Sequence, residues 1–362
     1  MLKSRSGIFI FMLCIILLMM RAWYLPVRAL TWDIFGYYLY LPAHFVHDDI
    51  LLQEKEWQDS LMKDYRPSST YYQLVPLENG NTVIKYSMGM AVALSPFYFI
   101  ADGLASSTGH RQNGFSLPYQ LILSLGGLVY AFFGLILLAR LVKRYFDQRV
   151  VIWTLGIIFF GTNYLHLTAW DGTLLTHNIL FTFYALLLLA TDNWHKKPRW
   201  SQAFLVGLSL GMIALIRPSE AVAFFIPLLW GIGDKESFAN KWKLITNKPK
   251  HILLLLITGL VTVLPQLLYW KAATGEFLFF SYTNAGEGMD LSNPHIKEFL
   301  FSFRKGWFVY TPLMFLALLG FWRIWKVKKT LFWPLLIFLV LDVYIASSWT
   351  TWWYAGGSFS SR

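Results

Sequence analysis

The chain has 362 residues, of which 56% are hydrophobic and 14% charged, with a net charge of +11 and a mean hydropathy of +0.47. Soluble domains contain about 25% charged residues, so this composition excludes a soluble globular protein and predicts an integral membrane protein. The Lys and Arg residues flank apolar runs, where they suit anionic lipid headgroups, so we expect no nucleic-acid partner. The single cysteine, Cys14, excludes an internal disulfide bond.

Nine apolar runs are long enough, or nearly so, to cross about 30 Å of hydrocarbon. In chain order they are residues 7–26, 118–139, 151–169, 174–191, 201–216, 221–232, 251–270, 306–322 and 331–347. They predict an all-α, polytopic membrane helical bundle in which residues 1–362 form one transmembrane domain. No small-residue cleavage site follows the first run, so we expect it to remain as the first span.

The loops between these runs form two sets that differ in length and charge. The short loops carry most of the Lys and Arg residues, and basic loops stay on the cytoplasmic side of a membrane. The long, aromatic-rich loops, above all residues 28–117 and 271–305, hold most of the candidate catalytic groups. The sequence therefore predicts a cytoplasmic N-terminus and a functional site on the outer face.

A further apolar run, residues 87–105, either spans the membrane or lies in its interface. If it spans, the basic loop 140–149 moves to the outer side and the alternation of basic loops breaks. If it lies in the interface or re-enters, every basic loop falls on the cytoplasmic side. We therefore expect residues 87–105 to be an interfacial segment of the first outer loop.

The first outer loop is predicted to begin with an amphipathic helix on the membrane surface, kinked at Pro42. Polar residues recur along one face of this helix at helical spacing. They are Asp33, Tyr37, Tyr40, His44, His47 and Asp48. Farther along, Asn79-Gly80 between two β-prone runs predicts a short β-hairpin, because both residues tolerate positive φ.

Asp33 follows the first span closely and is the first candidate for a general base, because a carboxylate placed there can deprotonate an acceptor hydroxyl. The alternative is a structural role as the N-cap of the helix, which is common for aspartate. Asp171, in Trp170-Asp171-Gly172, is the second catalytic candidate, and its alternative is a turn-forming role.

Arg217 lies between two apolar runs, and an arginine at membrane depth needs an anionic partner. The partner is either Glu220, in a structural ion pair, or a lipid phosphate held by two hydrogen bonds. Arg304 and Lys305, close to a later apolar run, would also suit a donor phosphate.

Three polar residues of the first loop, His44, His47 and Asp48, could ligate zinc or manganese, which makes a divalent metal ion a candidate cofactor. Their spacing matches no closed metal site, and a plain polar face is the alternative. At the other end of the chain, the aromatic stretch 349–357 combines aromatic residues with glycines, which suits an outer interfacial loop or stacking against sugar rings or a polyprenyl tail.

Several short motifs together resemble the GT-C class of membrane glycosyltransferases, which includes bacterial relatives of protein O-mannosyltransferases and aminoarabinose–lipid A transferases. They are Asp33 with Tyr37-Tyr38, Lys85-Tyr86-Ser87-Met88-Gly89, Ser95-Pro96-Phe97, Ala139-Arg140, residues 216–220 and residues 349–362. The chain departs from that class in two ways. Asp33-Ile34 stands where relatives have an acidic pair, and the chain ends where relatives continue, so we expect a C-terminal truncation.

The resemblance implies a GT-C fold that transfers a sugar from a polyprenyl-phosphate donor to a glycan, lipid or protein acceptor. The reaction would take place on the outer face of the bacterial inner membrane, with Asp33 as the base. Donor-phosphate contacts are expected from Lys85, Arg217, Arg304 and Lys305. Acceptor or sugar contacts are expected from Tyr37, Tyr40, His177, Glu220, Trp352 and Trp353.

The sequence contains no nucleotide-binding loop, so an activated substrate must come from the lipid phase or from outside. Two other functions remain open. A transporter or flippase of lipid-linked sugars is favoured by the helix break at Arg217-Pro218. A non-catalytic membrane protein of envelope assembly is the third alternative.

Overall fold

The computed structural model describes residues 4–170, 172–283 and 286–354. The first half of the chain contains α1 (Arg5–Trp23), α2 (Asp33–Tyr38), α3 (Tyr40–Phe45), α4 (Lys55–Tyr65), β1 (Leu74–Pro76), β2 (Thr82–Ile84), α5 (Gly89–Ser107), α6 (Leu117–Val142), α7 (Gln148–Gly161) and α8 (Tyr164–Ala169). The second half contains α9 (Thr176–Lys196), α10 (Trp200–Ile216), a 3₁₀ helix (Pro218–Phe224), α11 (Phe225–Leu229), α12 (Lys235–Thr246), α13 (Pro249–Thr274), α14 (Ile296–Phe301), α15 (Trp307–Tyr310), α16 (Leu313–Val327) and α17 (Lys329–Ser347).

Within the described residues, five helices are long and apolar enough to cross a membrane, namely α1, α5, α6, α13 and α17. The helices α7 and α10 are apolar but shorter. Large apolar side chains such as Leu260 and Leu319 are exposed on these helices and on α16, as expected of surfaces that face lipid. The prediction of a predominantly helical protein with helices able to span a membrane is confirmed.

Two of the predicted apolar runs are interrupted, and a third break falls between two runs, at Arg217. Residues 151–169 break at Thr162, whose hydroxyl donates to a carbonyl of the preceding turn (2.6 Å) and so competes with the helix backbone. Residues 306–322 break at Pro312, which has no N–H to donate. Arg217 ends α10 in an extended conformation (φ −141°, ψ 109°), because the proline that follows disfavours a helical conformation there.

The chain forms two compact units. The first comprises Met1–Leu155, Tyr164–Phe183 and Val263–Thr283. The second comprises Gly156–Asn163, Tyr184–Thr262 and Asn284–Arg362. The helix α13 begins in the second unit and ends in the first.

In the first unit, α5 and α6 pack in antiparallel fashion. Tyr119 near the start of α6 donates to Asp102 near the end of α5, whereas Tyr130 farther along α6 donates to the carbonyl of Ala93 near the start of α5 (2.8 Å). Gly126 lies between these contacts, and a Cβ there would be 2.6 Å from a phenylalanine ring of α5. Glycine at this position therefore allows the two helices to meet closely.

The C-terminal end of α1 lies beside the N-terminal part of α6. Arg21 donates from Nη2 to Ser124 Oγ (3.1 Å), and Gln120 Oε1 accepts from the backbone N–H of Leu30 (3.0 Å). The connection from α1 to α6 therefore begins and ends at neighbouring helix ends. The helix α5 is itself long and apolar enough to cross a membrane, so whether it spans or lies in the interface stays a prediction.

The predicted surface helix of the first loop is instead two short helices, α2 and α3, in which residues 34–43 are buried. Tyr37 and Tyr40, expected on the exposed polar face, are only 9% and 3% exposed. The break falls at Leu39 rather than at Pro42. The proline lies in the first turn of α3, where a missing N–H leaves no helical hydrogen bond unmade.

The strands β1 and β2 form an antiparallel hairpin in which Leu74 pairs with Ile84. Gly80 in the turn has a positive φ of +87°. Asn79 does not share this conformation, so the turn differs from the two-residue type in which both residues need positive φ.

The hairpin is attached to the C-terminal part of α13, within the first unit. The backbone N–H of Ile84 donates to Tyr269 Oη (2.9 Å). Just beyond the hairpin, the N–H of Met88 donates to Gln266 Oε1 (2.6 Å). Residues 85–87 are therefore held at both ends, which fixes the position of the side chains between these two anchors.

In the second unit, α10 and the first half of α13 approach closely through small residues. A Cβ on Gly207 would lie 2.3 Å from the carbonyl oxygen of Leu255, and one on Gly211 would lie 2.6 Å from Thr262. Glycines four residues apart allow the backbones of membrane helices to pack directly against each other.

Cysteine labelling with an impermeant thiol reagent tests this topology in a Cys14→Ser background. We expect outside labelling of Asp48→Cys and Ser107→Cys but not of Lys143→Cys, because the connection from α1 to α6 returns to its starting side and the basic loop after α6 stays inside. Permeabilised cells provide the control, since position 143 should then react. Outside labelling at 143 with protection at 107 would instead show that α5 spans the membrane.

Candidate functional site

The candidate site is built around the carboxylate of Asp33, in the first unit. Its Oδ1 accepts hydrogen bonds from the phenol hydroxyls of Tyr72 (2.8 Å) and Tyr86 (2.6 Å). Hydrogen bonds to an ionised carboxylate are among the stronger ones in proteins. Among the residues that the structure describes, none donates to Oδ2 of Asp33. One carboxylate oxygen is therefore fixed, and the other is open to a ligand.

Asp33 does not occupy the N-cap position that its structural alternative requires. Asp33 is the first residue of α2, and Trp32 occupies the N-cap position without a side-chain cap. Trp32 has a positive φ of 54°, which is uncommon for a residue other than glycine. Its N–H donates to the carbonyl of Pro67 (2.8 Å), and its carbonyl accepts from Gln73 Nε2 (3.0 Å). Backbone strain of this kind persists where the surroundings fix it, often at functional sites.

Three residues of α2 and α3 hold the ring of Tyr86 in place. A Cβ on Gly36 would lie 2.6 Å from that ring, so glycine is needed for the ring to pack there. The ring of Tyr37 is centred 4.4 Å from it. Tyr40 Oη donates to the backbone carbonyl of Tyr86 (2.7 Å). Tyr37 and Tyr40, expected to contact acceptor or sugar, are thus placed as supports of the tyrosine that binds Asp33.

Lys85 lies beside the same tyrosines and is only 4% exposed. Its Nζ is 5.9 Å from the ring centre of Tyr72, 6.0 Å from that of Tyr86 and 5.0 Å from that of Tyr282. The faces of aromatic rings attract an ammonium group. Ser281 Oγ also donates to the backbone carbonyl of Lys85 (2.5 Å). The two phenol rings that bind the carboxylate of Asp33 therefore also flank a buried ammonium group.

The protonation of the two phenols follows from this environment. Burial, and after it the charge of Asp33, raises the pKa of Tyr72 above its ordinary value. Burial also raises the pKa of Tyr86, with Tyr37 and Asp33 adding to the effect. Both hydroxyls therefore remain protonated donors to Asp33 at neutral and mildly alkaline pH.

A second polar group surrounds Glu220 in the second unit. Arg217 Nη1 lies 4.0 Å from Glu220 Oε1, and Tyr184 Oη donates to Glu220 Oε2 (2.5 Å). Asp342 of α17 interacts electrostatically with both Glu220 and Arg217. Of the two partners expected for Arg217, the structure provides Glu220, and it adds a carboxylate that the sequence did not indicate.

The two remaining phosphate candidates also lie in the second unit, next to the aromatic stretch. The guanidinium of Arg304 is 4.8 Å from the ring centre of Trp353, and Lys305 Nζ donates to the carbonyl of Tyr354 (2.6 Å). Lys85 is therefore the one phosphate candidate in the same unit as Asp33.

Three further predicted residues are Trp352, His177 and Asp171. The ring of Trp352 is 5.8 Å from that of His295, in the second unit. His177 is the second residue of α9 and is half-buried. Asp171 lies outside the described residues.

The predicted metal ligands are not brought together. No three His, Cys, Asp or Glu side chains in the described part of the chain are arranged to hold a metal ion, and this includes His44, His47 and Asp48. The ring of His47 stacks on Trp57 (4.1 Å), and burial lowers the pKa of this histidine. The adjacent Asp49 is buried and accepts from backbone N–H groups of the following turn, which is a structural role.

Sequence reasoning missed Tyr72 and Tyr282 as parts of the site. The register of the hairpin contains a signal for Tyr72. Leu74 pairs with Ile84 in this antiparallel hairpin. Continued by two residues beyond the strands, the same register places Tyr72 opposite Tyr86. Tyr282 gives no comparable signal, because it approaches Lys85 from a loop that follows α13.

The site joins a carboxylate with one open oxygen to a buried ammonium group, through two shared phenol rings. A carboxylate and an ammonium in this arrangement suit a reaction that removes a proton from one group while anionic charge develops on another. No family model, no curated protein and no solved structure matches the chain.

The raised pKa values of Tyr72 and Tyr86 predict a pH-dependent contribution to stability. An unfolded tyrosine loses its proton near pH 10, whereas these folded phenols keep theirs. Their stabilisation is therefore complete below about pH 10 and is lost as the pH rises above that value. At pH 8 we expect Tyr86→Phe to lower the free energy of unfolding by roughly 1.5–3 kcal/mol, the range for a hydrogen bond to a charged group.

Thermal unfolding midpoints of the wild type and Tyr86→Phe, measured from pH 8 to pH 11 in the same detergent, test this expectation. The difference between them should shrink above pH 10, because the wild type alone loses the contribution of the Tyr86 phenol. Tyr24→Phe, at an exposed tyrosine of the same unit, is the control and should show no such trend. A difference that stays constant to pH 11 would contradict the raised pKa.

Proposed function

We propose that the protein is a membrane glycosyltransferase of GT-C type that transfers a sugar from a polyprenyl-phosphate donor to an acceptor hydroxyl. The observation that carries the proposal is the pairing of Asp33 and the buried Lys85 on the rings of Tyr72 and Tyr86. A base and a cation are the two groups that such a transfer requires. Helices long enough to span a membrane would give the site access to a lipid-linked donor.

In the proposed reaction, Oδ2 of Asp33 takes the proton of the acceptor hydroxyl while the acceptor oxygen forms a bond to the anomeric carbon. The bond between that carbon and the phosphate oxygen breaks, and its electron pair leaves with polyprenyl phosphate. The ammonium of Lys85 offsets the negative charge that grows on this phosphate. Tyr72 and Tyr86 occupy Oδ1, so the acceptor meets Oδ2.

The acceptor would be a glycan, a lipid or a protein on the outer face of a bacterial inner membrane. The basic loops and the long aromatic-rich loops support this orientation. Arg217, Arg304 and Lys305 remain candidates for further contacts with a donor phosphate, and Trp352 and Trp353 for contacts with a sugar.

A transporter or flippase of lipid-linked sugars is the second candidate function. The polar group around Glu220 favours it, because Arg217, Tyr184 and Asp342 surround that carboxylate among apolar helices at a helix break. Transporters place polar groups on interrupted helices in this way. The two functions differ in outcome, since a transporter moves the lipid-linked sugar without forming a glycosylated product.

Asp33→Asn is the direct test of the base. The amide oxygen can still accept from Tyr72 and Tyr86, but it cannot take a proton, so we expect normal folding and activity lower by roughly 10²-fold or more. The measurement is product formation by purified protein incubated with radiolabelled polyprenyl-phosphate sugars and membrane acceptors.

Asp59→Asn is the matched control for this test. Asp59 is an exposed carboxylate of the same unit that also accepts from a tyrosine hydroxyl (3.4 Å), so the same substitution there should leave activity unchanged. Full transfer by Asp33→Asn at wild-type expression would remove Asp33 from the mechanism. Sugar movement across liposomes without product would favour the transporter.

Lys85→Met tests the role of the buried cation. The substitution keeps an unbranched side chain among the tyrosine rings but removes the charge, so we expect kcat/KM for the donor to fall by roughly 10²-fold. Lys85→Arg should recover part of this loss because it restores the charge. Lys63→Met, at an exposed lysine of α4, should have no effect. Reduced thermal stability with unchanged kcat/KM would instead assign Lys85 a structural role.

A further inference from the structure

In the helix α12, the pattern of buried and exposed side chains is the reverse of the usual one. Within α12, all of whose residues the structure describes, Lys241 is the buried residue. Phe238 and Trp242, its largest apolar side chains, are 58% and 60% exposed. A helix on the surface of a soluble protein normally buries its apolar residues and exposes its lysines.

The buried lysine is fully engaged with the protein. Lys241 Nζ donates to the carbonyl of Pro227 (2.7 Å), to the carbonyl of Trp230 (3.2 Å) and to Nε2 of His195. His195 Nδ1 lies 2.8 Å from the carbonyl of Thr191, which assigns its proton to Nδ1 and leaves Nε2 as an acceptor. Lys241 thus binds α12 to the end of α11 and to α9, and it turns the aromatic residues outward.

The exposed face of α12 combines aromatic and basic side chains. Phe238 and Trp242 are four residues apart, so they lie on one face of the helix, one turn from each other. Lys235 lies one turn before Phe238, and Lys243 is exposed next to Trp242. A face of this composition is typical of helices that lie in the membrane interface, with aromatic rings below the headgroups and lysines among them.

The helix α12 lies next to the ends of several apolar helices. The long apolar helix α13 begins at Pro249, three residues after α12 ends. Near the start of α13, His251 accepts from Trp194 Nε1 of α9 (3.2 Å) and packs against the ring of Trp200 at the start of α10 (4.6 Å). The ends of three helices therefore meet beside α12, with tryptophans that are typical of a membrane interface.

We propose that α12 is an interfacial helix that binds the surface of a bilayer containing anionic phospholipids. Phe238 and Trp242 would insert between the acyl chains just below the headgroups, and Lys235 and Lys243 would pair with lipid phosphates. The charge of this surface supports anionic lipid as the partner, because Lys248 and Lys250 continue the basic stretch beyond α12. Binding at this surface is independent of the proposed glycosyl transfer.

A fluorescent probe at single cysteines in the full chain tests the proposal, in a Cys14→Ser background. Bimane is attached at Phe238→Cys or, as a second variant, at Trp242→Cys. Asn240→Cys is the matched control, because it is exposed on the same helix but on the opposite flank. Each protein is placed in nanodiscs of phosphatidylcholine alone or mixed with phosphatidylglycerol, with either iodide in the buffer or brominated acyl chains as the quencher.

We expect brominated chains to quench the probe at 238 and 242, and iodide to quench the probe at 240. Protection from iodide at 238 should increase at least twofold when phosphatidylglycerol is present. Lys235→Gln with Lys243→Gln should abolish this increase, whereas Lys55→Gln with Lys63→Gln, on the exposed face of α4, should leave it intact. Because Phe238 and Trp242 are exposed, their replacement removes little packing, and wild-type elution of each variant confirms folding.

Three results would overturn the proposal. Equal iodide quenching at 238, 242 and 240 would show that the aromatic face of α12 lies in water. Protection from iodide at 238 and 242 without quenching by brominated acyl chains would show that a second copy or another protein covers this face. An increase with phosphatidylglycerol that survives Lys235→Gln with Lys243→Gln would show that these lysines do not recognise anionic lipid.

Discussion

The hydrogen bonds from Tyr72 and Tyr86 to one oxygen of Asp33 are the interaction on which the site depends. They join three segments of the chain, namely the start of α2 and the two ends of the hairpin. Each hydrogen bond to a charged group contributes roughly 1.5–3 kcal/mol. That is comparable to the roughly 1–3 kcal/mol that a backbone in an unusual conformation costs, as at Trp32. Contacts from other segments of the first unit, and not α2 alone, therefore set the position of the carboxylate.

The sequence predicted those features that depend on local composition. Apolar runs indicate helices because their length and hydropathy are properties of the run itself, and α1, α6, α13 and α17 lie close to the predicted positions. The chain also turns at Asn79-Gly80, where glycine supplies the positive φ. The interruptions were not predicted, because hydropathy does not register how Thr162 or Pro312 changes backbone hydrogen bonding.

The parts of the site that could not be predicted are those created by tertiary packing. The polar face of α2 and α3 suggested a surface helix, yet Tyr37 and Tyr40 are buried because Tyr86 and α13 cover them. Lys85 and Asp33 were both candidates, but their proximity depends on the hairpin register, which sets Tyr72 opposite Tyr86. Asp342 is more than a hundred residues from Glu220, and no spacing rule connects residues so far apart.

Two buried lysines show how the same side chain can serve different purposes in a membrane protein. The ammonium of Lys241 donates to two carbonyl oxygens and a histidine nitrogen, so its three N–H groups are used within the protein and its effect is to orient α12. Lys85 lies near the faces of three tyrosine rings, which stabilise its charge, and two of these tyrosines also donate to Asp33. Burial alone therefore does not distinguish a structural cation from one suited to an anionic ligand. The neighbours differ in identity: Lys241 donates to groups of α9 and of the end of α11, whereas two of the three tyrosines around Lys85 are those that bind the carboxylate of Asp33.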